Sequence, residues 1–226
     1  MKKSCFIFLA IILIILTGCK HRYSENPDTE DIDNNHKWTD VSDNQFNFEN
    51  IPDFSFSGKT IYAEVKSGKE SGTSLRNFLL SGLGRQNITG FEAQTKLGKN
   101  MKSCGFEFSG VPSYSCYLFK IYKDGSFDIM LDDYRTRPST YSRLAHINAD
   151  KSGINLNDFN TIKMRSLPNE KDAEIFINGT SVYTIEDLIF TPGTLAIYYQ
   201  AEKGTYSNEN TAEAEFRILS VQKKSN

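Results

Sequence analysis

From Phe91 onward this chain repeats apolar and polar residues with a period of two. Phe91, Ala93, Thr95 and Leu97 alternate with Glu92, Gln94 and Lys96, and Cys104, Phe106 and Phe108 alternate with Gly105 and Glu107. Successive side chains on a pleated strand point to opposite faces, so this pattern requires sheets with one face in a core. Tyr117, Phe119 and Ile121 precede Lys123-Asp124-Gly125, and Phe127, Ile129 and Leu131 follow it. Asp-Gly between alternating runs predicts a tight hairpin, because a primed turn needs positive φ at both centres. A second hairpin is predicted from Thr161–Arg165 through a Pro168–Asp172 turn to Ala173–Ile177, with Asn178-Gly179 turning the chain back toward Val182 and Tyr183. Leu195–Tyr199 and Glu213–Val221 complete the series. Many short strands and almost no helical period predict an all-β, antiparallel two-sheet β-sandwich. Ser74–Gly84 is the one stretch suited to a helical turn, and Ile61–Val65 reads as an edge strand.

Composition supports a packed core and excludes some functions. Sixteen Phe in 226 residues can fill an interior, whereas a disordered chain is poor in aromatics. A formal charge of −2 lacks the basic footprint of a nucleic-acid binder. Three His and four scattered Cys leave little material for a metal centre.

The N-terminus reads as an export signal. Met1-Lys2-Lys3 is cationic, and Cys5–Leu16 is an unbroken run of twelve apolar residues. A membrane-spanning helix needs roughly 20 such residues, while a secretory signal uses about 7–15. Leu16-Thr17-Gly18-Cys19 then resembles the lipobox of bacterial lipoproteins: an aliphatic residue, two small ones and a Cys. The resemblance implies that the Cys19 thiol takes a diacylglyceryl chain and becomes the mature N-terminus, with palmitate as an acyl group. Multiple acyl chains anchor stably where one is marginal. The expected location is the cell envelope, extracytoplasmic, at the outer membrane or cell surface.

Between the anchor and the strands lies an acidic stretch. Lys20–Asp53 carries nine acidic and three basic residues and includes SENPDTEDIDNNH, which has no hydrophobic period. The expected organisation is a signal peptide over residues 1–18, a lipidated acidic spacer over 19–45 and one domain over 46–226.

The order of the strand motifs resembles the concanavalin A-like lectin/glucanase jelly roll, with laminin G-like modules nearest. Tyr117-Leu118-Phe119-Lys120-Ile121, Asp124-Gly125, Phe176-Ile177-Asn178-Gly179 and Gly193-Thr194-Leu195-Ala196-Ile197 carry it, over roughly residues 88–222. The resemblance implies a binding surface on one sheet and, in some relatives, glycosidase chemistry. Its retaining glucanases carry a Glu-x-Asp-x-Glu strand, since retention needs two carboxyl groups about 5–5.5 Å apart. Glu170-Lys171-Asp172-Ala173-Glu174 has that spacing, but it follows Pro168-Asn169 and so reads as charged turn decoration.

No other catalytic constellation is legible. There is no Gly-x-Ser-x-Gly elbow, and His146 is the sole His beyond the spacer, reading as a surface residue on a loop or edge strand. No cofactor is expected. Asp132-Asp133 could seat Ca²⁺, although adjacent strand acids point to opposite faces. Cys104 and Cys116 could bridge in an oxidising compartment. If Phe108 and Tyr117 flank the connection, however, Cys104 opposes Ile121, beyond the roughly 7 Å reach of a disulfide. The expectation is two buried thiols.

Sugar sites pair aromatic faces with a few polar groups. Leu131–Ile147 reads as a long loop bearing Tyr134, Arg135, Arg137, Tyr141 and Arg143, and Tyr114, Tyr198, Tyr199 and Tyr206 are further candidates. Tyr134, Arg135, Tyr141 and Tyr198 are the chosen ligand-binding residues. The sequence thus predicts a membrane-anchored, non-catalytic lectin-like domain binding carbohydrate or a surface protein, with a glycoside hydrolase of the same fold as the alternative. Membrane lipid is the partner expected through Cys19.

Overall fold

The computed structural model describes residues 36–40, 54–57, 60–65, 88–110, 115–135, 140–189, 193–202 and 211–224. Cys19 and the signal segment, the turn expected at Ser74–Gly84, and Tyr114, Arg137 and Tyr206 lie outside the described residues. The elements are β1 (His36–Asp40), β2 (Phe54–Ser57), β3 (Thr60–Val65), β4 (Ile88–Leu97), β5 (Met101–Gly110), β6 (Cys116–Tyr122), β7 (Phe127–Asp133), β8 (Thr140–Ile147), α1 (Ala149–Ser152), β9 (Asn160–Ser166), β10 (Ala173–Ile177), β11 (Thr180–Ile185), β12 (Gly193–Ala201) and β13 (Ala212–Lys224).

The strands form two antiparallel layers. One runs β11-β10-β9-β4 and continues to β13, whose far edge pairs with β3 and β1. The other runs β12-β5-β6-β7-β8. A single bridge pair, Gly193 with Ile88, joins β12 to β4 across the two. The period-two residues meet between the layers. Phe91 of β4 lies 5.8, 6.3 and 5.5 Å, ring centre to centre, from Phe106 and Phe108 of β5 and Phe119 of β6. Phe106 in turn meets Phe216 of β13 at 5.9 Å. This is the expected all-β sandwich.

Particular strands explain the alternation. Phe91, Ala93 and Thr95 are buried while Glu92, Gln94 and Lys96 are half-buried, so β4 has one face in the core. Most of β6 and β7 is buried on both faces. The register Phe108–Tyr117 and Cys104–Ile121 is the one the sequence predicts. Cys104 and Cys116 are accordingly two buried thiols not joined in a disulfide, one facing the core and the other the opposite face.

The hairpins are placed as expected, with one change of turn. Asn178 and Gly179 both have positive φ (49° and 81°), as a primed two-residue turn requires. The β6–β7 turn instead spans three residues: Tyr122 N donates to Ser126 O, and Gly125 alone is left-handed at φ 81°. The Asp124 side chain selects this form by accepting from both the backbone N–H and the hydroxyl of Ser126.

Three expectations change in the structure. Leu131–Ile147 is not one long loop: β7 continues through Asp133 and β8 begins at Thr140, pairing from Phe127–Ile147 to Asp133–Thr140. Charged and aromatic residues on both strands conceal that pairing from a hydrophobic-period reading. The strand around Ile61–Val65 is not an edge, since β3 pairs with β13 on one side and β2 on the other. His36–Asp40, within the stretch read as spacer, pairs with Ser220–Lys224 of β13.

Candidate functional site

The face of β12-β5-β6-β7-β8 turned away from the core carries the candidate site. Strand register sets its residues in rows. One row runs Tyr198, Gly105, Lys120, Asp128, His146; the next runs Ala196, Glu107, Leu118, Met130, Arg143; a third runs Thr194, Ser109, Cys116, Asp132, Tyr141. Tyr198, Leu118, Met130 and Cys116 form a second, smaller apolar cluster that floors this face. Gly105 is essential to the first row, because a Cβ there would fall 1.8 Å from the Phe119 carbonyl oxygen.

Two polar groups stand on this floor. Lys120 is 6 % exposed. Its Nζ lies 4.6 Å from the centre of the Tyr198 ring, a cation–π contact, and donates to Tyr141 Oη at 2.7 Å. The centre of the Tyr141 ring is 5.4 Å from Nζ, so the ammonium sits off the end of that phenol and not over its face. Asp128, 1 % exposed, gathers the second group. Its Oδ1 is 2.6 Å from His146 Nδ1, and its Oδ2 is 3.1 Å from Arg143 Nη2. Oδ2 also accepts from Tyr122 Oη at 3.1 Å. Burial and the neighbouring Asp128 carboxylate push the Tyr122 phenol well above its ordinary value.

The predicted binding residues separate. Tyr141 (51 % exposed) and Tyr198 converge on Lys120 from β8 and β12. Tyr134 (42 % exposed) stands at the same end and donates to Asp132 Oδ2 at 3.0 Å. Arg135 does not join them. Its Nη2 and Nε hold Asp133 at 2.7 and 2.9 Å, and Asp133 also accepts from Ser115 Oγ at 2.9 Å. These bonds, led by the Arg135 guanidinium, hold the Asp133 carboxyl far below the ordinary carboxylate range. Tyr199 faces the core. His146 is on the outermost strand of its sheet, with its ring committed to Asp128.

The other candidates resolve similarly. Glu170 is left-handed at φ 56° in the β9–β10 turn, and Glu174 accepts from Arg165 at 2.7 Å and from Ser181, away from the outer face. Asp132 bonds Tyr134 and Asp133 bonds Arg135, so the adjacent acids diverge as strand geometry dictates. Among the described residues no three His, Cys, Asp or Glu gather as metal ligands.

Sequence reading missed Lys120, Tyr122, Asp128 and Met130. Their signal was present: Leu118, Lys120 and Tyr122, then Asp128, Met130 and Asp132, repeat with period two opposite a wholly apolar face. Charged residues on strands buried on both sides mark a site better than exposed loop tyrosines do.

No protein-family model and no curated protein matches the sequence. Solved structures do. A κ-carrageenase from Pseudoalteromonas carrageenovora, solved with an oligotetrasaccharide of κ-carrageenan, superposes with a TM-score of 0.56 at 14 % identity, over 89 % of this chain and 100 % of that one. The fold is the concanavalin A-like jelly roll. A κ-carrageenase from Zobellia galactanivorans gives 0.53 at 11 % identity, over 89 % and 98 %. A Bacillus licheniformis β-glucanase gives 0.50 at 13 % identity, over 83 % and 92 %. At these identities the jelly roll is what is shared.

Proposed function

We propose that this protein is a lipid-anchored, extracytoplasmic carbohydrate-binding protein whose ligand lies on the outer face of the β5–β8 sheet. The observation that carries the reading is the convergence of Tyr198 and Tyr141 on Lys120: two tyrosines and a buried ammonium over one apolar floor. Sugars are held by aromatic faces and a few fixed polar groups, and this cluster offers both. Carbohydrate-active jelly rolls among the structural neighbours support the class of ligand.

Asp128 and Asp132 give a second reading, glycoside hydrolysis. They are two carboxylates on one strand and one face, opposite Lys120 and Cys116. Spacing argues against it. Four residues of strand separate their Cα atoms by about 13 Å. Each Asp is one methylene shorter than the Glu residues that close the same spacing in a Glu-x-Asp-x-Glu strand, so the pair falls short of the about 5–5.5 Å that retention needs. Asp128 is moreover held by Tyr122, Arg143 and His146. Binding without cleavage is the reading we adopt.

A glycan array on the full-length protein, with a hydrolysis assay on each hit, tests it. Hits lost on Tyr141→Ala and Tyr198→Ala and left uncleaved support the proposal. Turnover abolished by Asp128→Asn moves it to the hydrolase reading. Anchoring at Cys19 rests on the lipobox resemblance, and palmitate labelling that persists in Cys19→Ser would remove it.

A further inference from the structure

Lys120 is the one Lys or Arg among the described residues that is buried. Lys96, Lys123, Lys163, Arg135, Arg143 and Arg165 each meet a carboxylate. Lys120 is more buried than any of these, yet among the described residues no carboxylate lies within ion-pair distance of its Nζ. The omission is not for want of a neighbour. Asp128 is its direct register partner across β6 and β7, but Asp128 turns its oxygens to Tyr122, Arg143 and His146. Glu107, one row away on β5, accepts from Ser109 Oγ at 2.6 Å, and Asp132 accepts from Tyr134. The acids of this face thus have other donors, and the ammonium is left with a phenol oxygen and a ring face.

An ammonium has three N–H donors, and burying one without a counter-ion is costly. The Tyr141 hydroxyl takes one donor, and the π-face of Tyr198 compensates only part of the charge. We propose that Lys120 is the recognition point for an anionic substituent, a carboxylate or sulfate, on the bound glycan. This rests on reading the outer face as the sugar site. A neutral hydroxyl would satisfy a donor but leave the charge uncompensated. An oxyanion does both, in a water-poor setting where a charge-assisted hydrogen bond is strong. Tyr141, half-exposed on the outermost strand, and Tyr198 then bracket the substituent while sugar rings extend along the floor.

The full-length protein is titrated calorimetrically with two matched pairs. One pair is dextran and dextran sulfate oligosaccharides; the other is galacturonan oligosaccharides and their methyl esters. One charged member binds about ten-fold more tightly than its neutral twin, the difference made by one desolvated charge-assisted contact. The pair that discriminates assigns sulfate or carboxylate. The preference vanishes in Lys120→Gln and survives in Lys120→Arg. At about 1 M salt it persists in part, because a desolvated ion pair is screened much less than exposed charges. Neutral twins bound as tightly as charged ones would overturn the proposal and leave the sugar site standing. A preference unchanged in folded Lys120→Gln overturns it too. Should none of the four oligosaccharides bind the folded protein, this inference falls, and an empty glycan array beside it removes the underlying reading. The comparison of charged with neutral twins needs no variant, so it decides the case even where Lys120→Gln fails to fold.

Discussion

Asp128 and His146 are register partners across β7 and β8, and their side chains close to 2.6 Å between Oδ1 and Nδ1. With Arg143 and Tyr122 on Oδ2, one buried carboxylate organises three side chains from β6 and β8. Asp128→Ala strands those donors and is expected to cost about 2–3 kcal/mol, read from the denaturant midpoint. Asp128→Asn costs less because an acceptor oxygen remains. It also lowers the Tyr122 pKa, since the neighbouring negative charge is gone. A phenol titration by ultraviolet absorbance checks that shift.

Gly105→Ala places a methyl group into the Phe119 carbonyl oxygen, which is backbone and cannot rotate aside. The β5–β6 ladder must open locally. A loss of about 3 kcal/mol or more is expected in chemical denaturation, together with weaker glycan binding as Lys120 shifts. An Ala variant as stable as wild type would contradict the close approach.

Cys104 is fully buried, and desolvation pushes its thiol from 9.0 up to about 12, opposed only in part by the hydrogen bond with Thr95. The unfolded thiol therefore deprotonates first as pH rises. Stability from this group is complete below the ordinary thiol value and declines between 9.0 and about 12. In mass spectrometry after iodoacetamide at pH 8, the peptides carrying Cys104 and Cys116 stay unmodified in the native protein. Without reductant, both become alkylated in denaturant.

The Asp133 carboxyl, depressed chiefly by Arg135, works in the opposite direction. Its stabilisation is complete above the ordinary carboxylate range and is lost as pH falls toward its depressed folded value. Asp133→Asn is expected to flatten the acid limb of a stability–pH curve below about pH 4, with little change in the pH dependence above it.

Binding and stability separate at the tyrosines and Arg135. Tyr141→Ala and Tyr198→Ala each weaken glycan binding by about three- to ten-fold, as one lost aromatic contact does. Arg135→Ala leaves affinity within about two-fold while lowering stability, because its guanidinium serves Asp133. Affinity by calorimetry and melting temperature on the same samples distinguish the two roles.

The fold was legible because its core residues repeat without interruption: Phe91, Phe106, Phe108 and Phe119 announce strands, and Asn178-Gly179 announces a turn. The Cys104–Ile121 register followed from counting back from Phe108–Tyr117. The site was legible only in part. Tyr141 and Tyr198 can be named from residue type, but that they meet at Lys120 depends on β8 folding back along β7, and a charged edge strand carries little periodic signal. Arg135 looked identical to Arg143 as a loop cation, and only the bond to Asp133 distinguishes it.

Neighbouring residues on β6 and β7 serve opposite sides of the sheet, with Phe119, Ile121, Phe127 and Ile129 inward and Leu118, Lys120, Asp128 and Met130 outward. Evolution can therefore exchange what the outer side recognises, one residue at a time, while the aromatic interior stays as it is. A lineage built on this domain can rewrite that outer side without relearning how to fold.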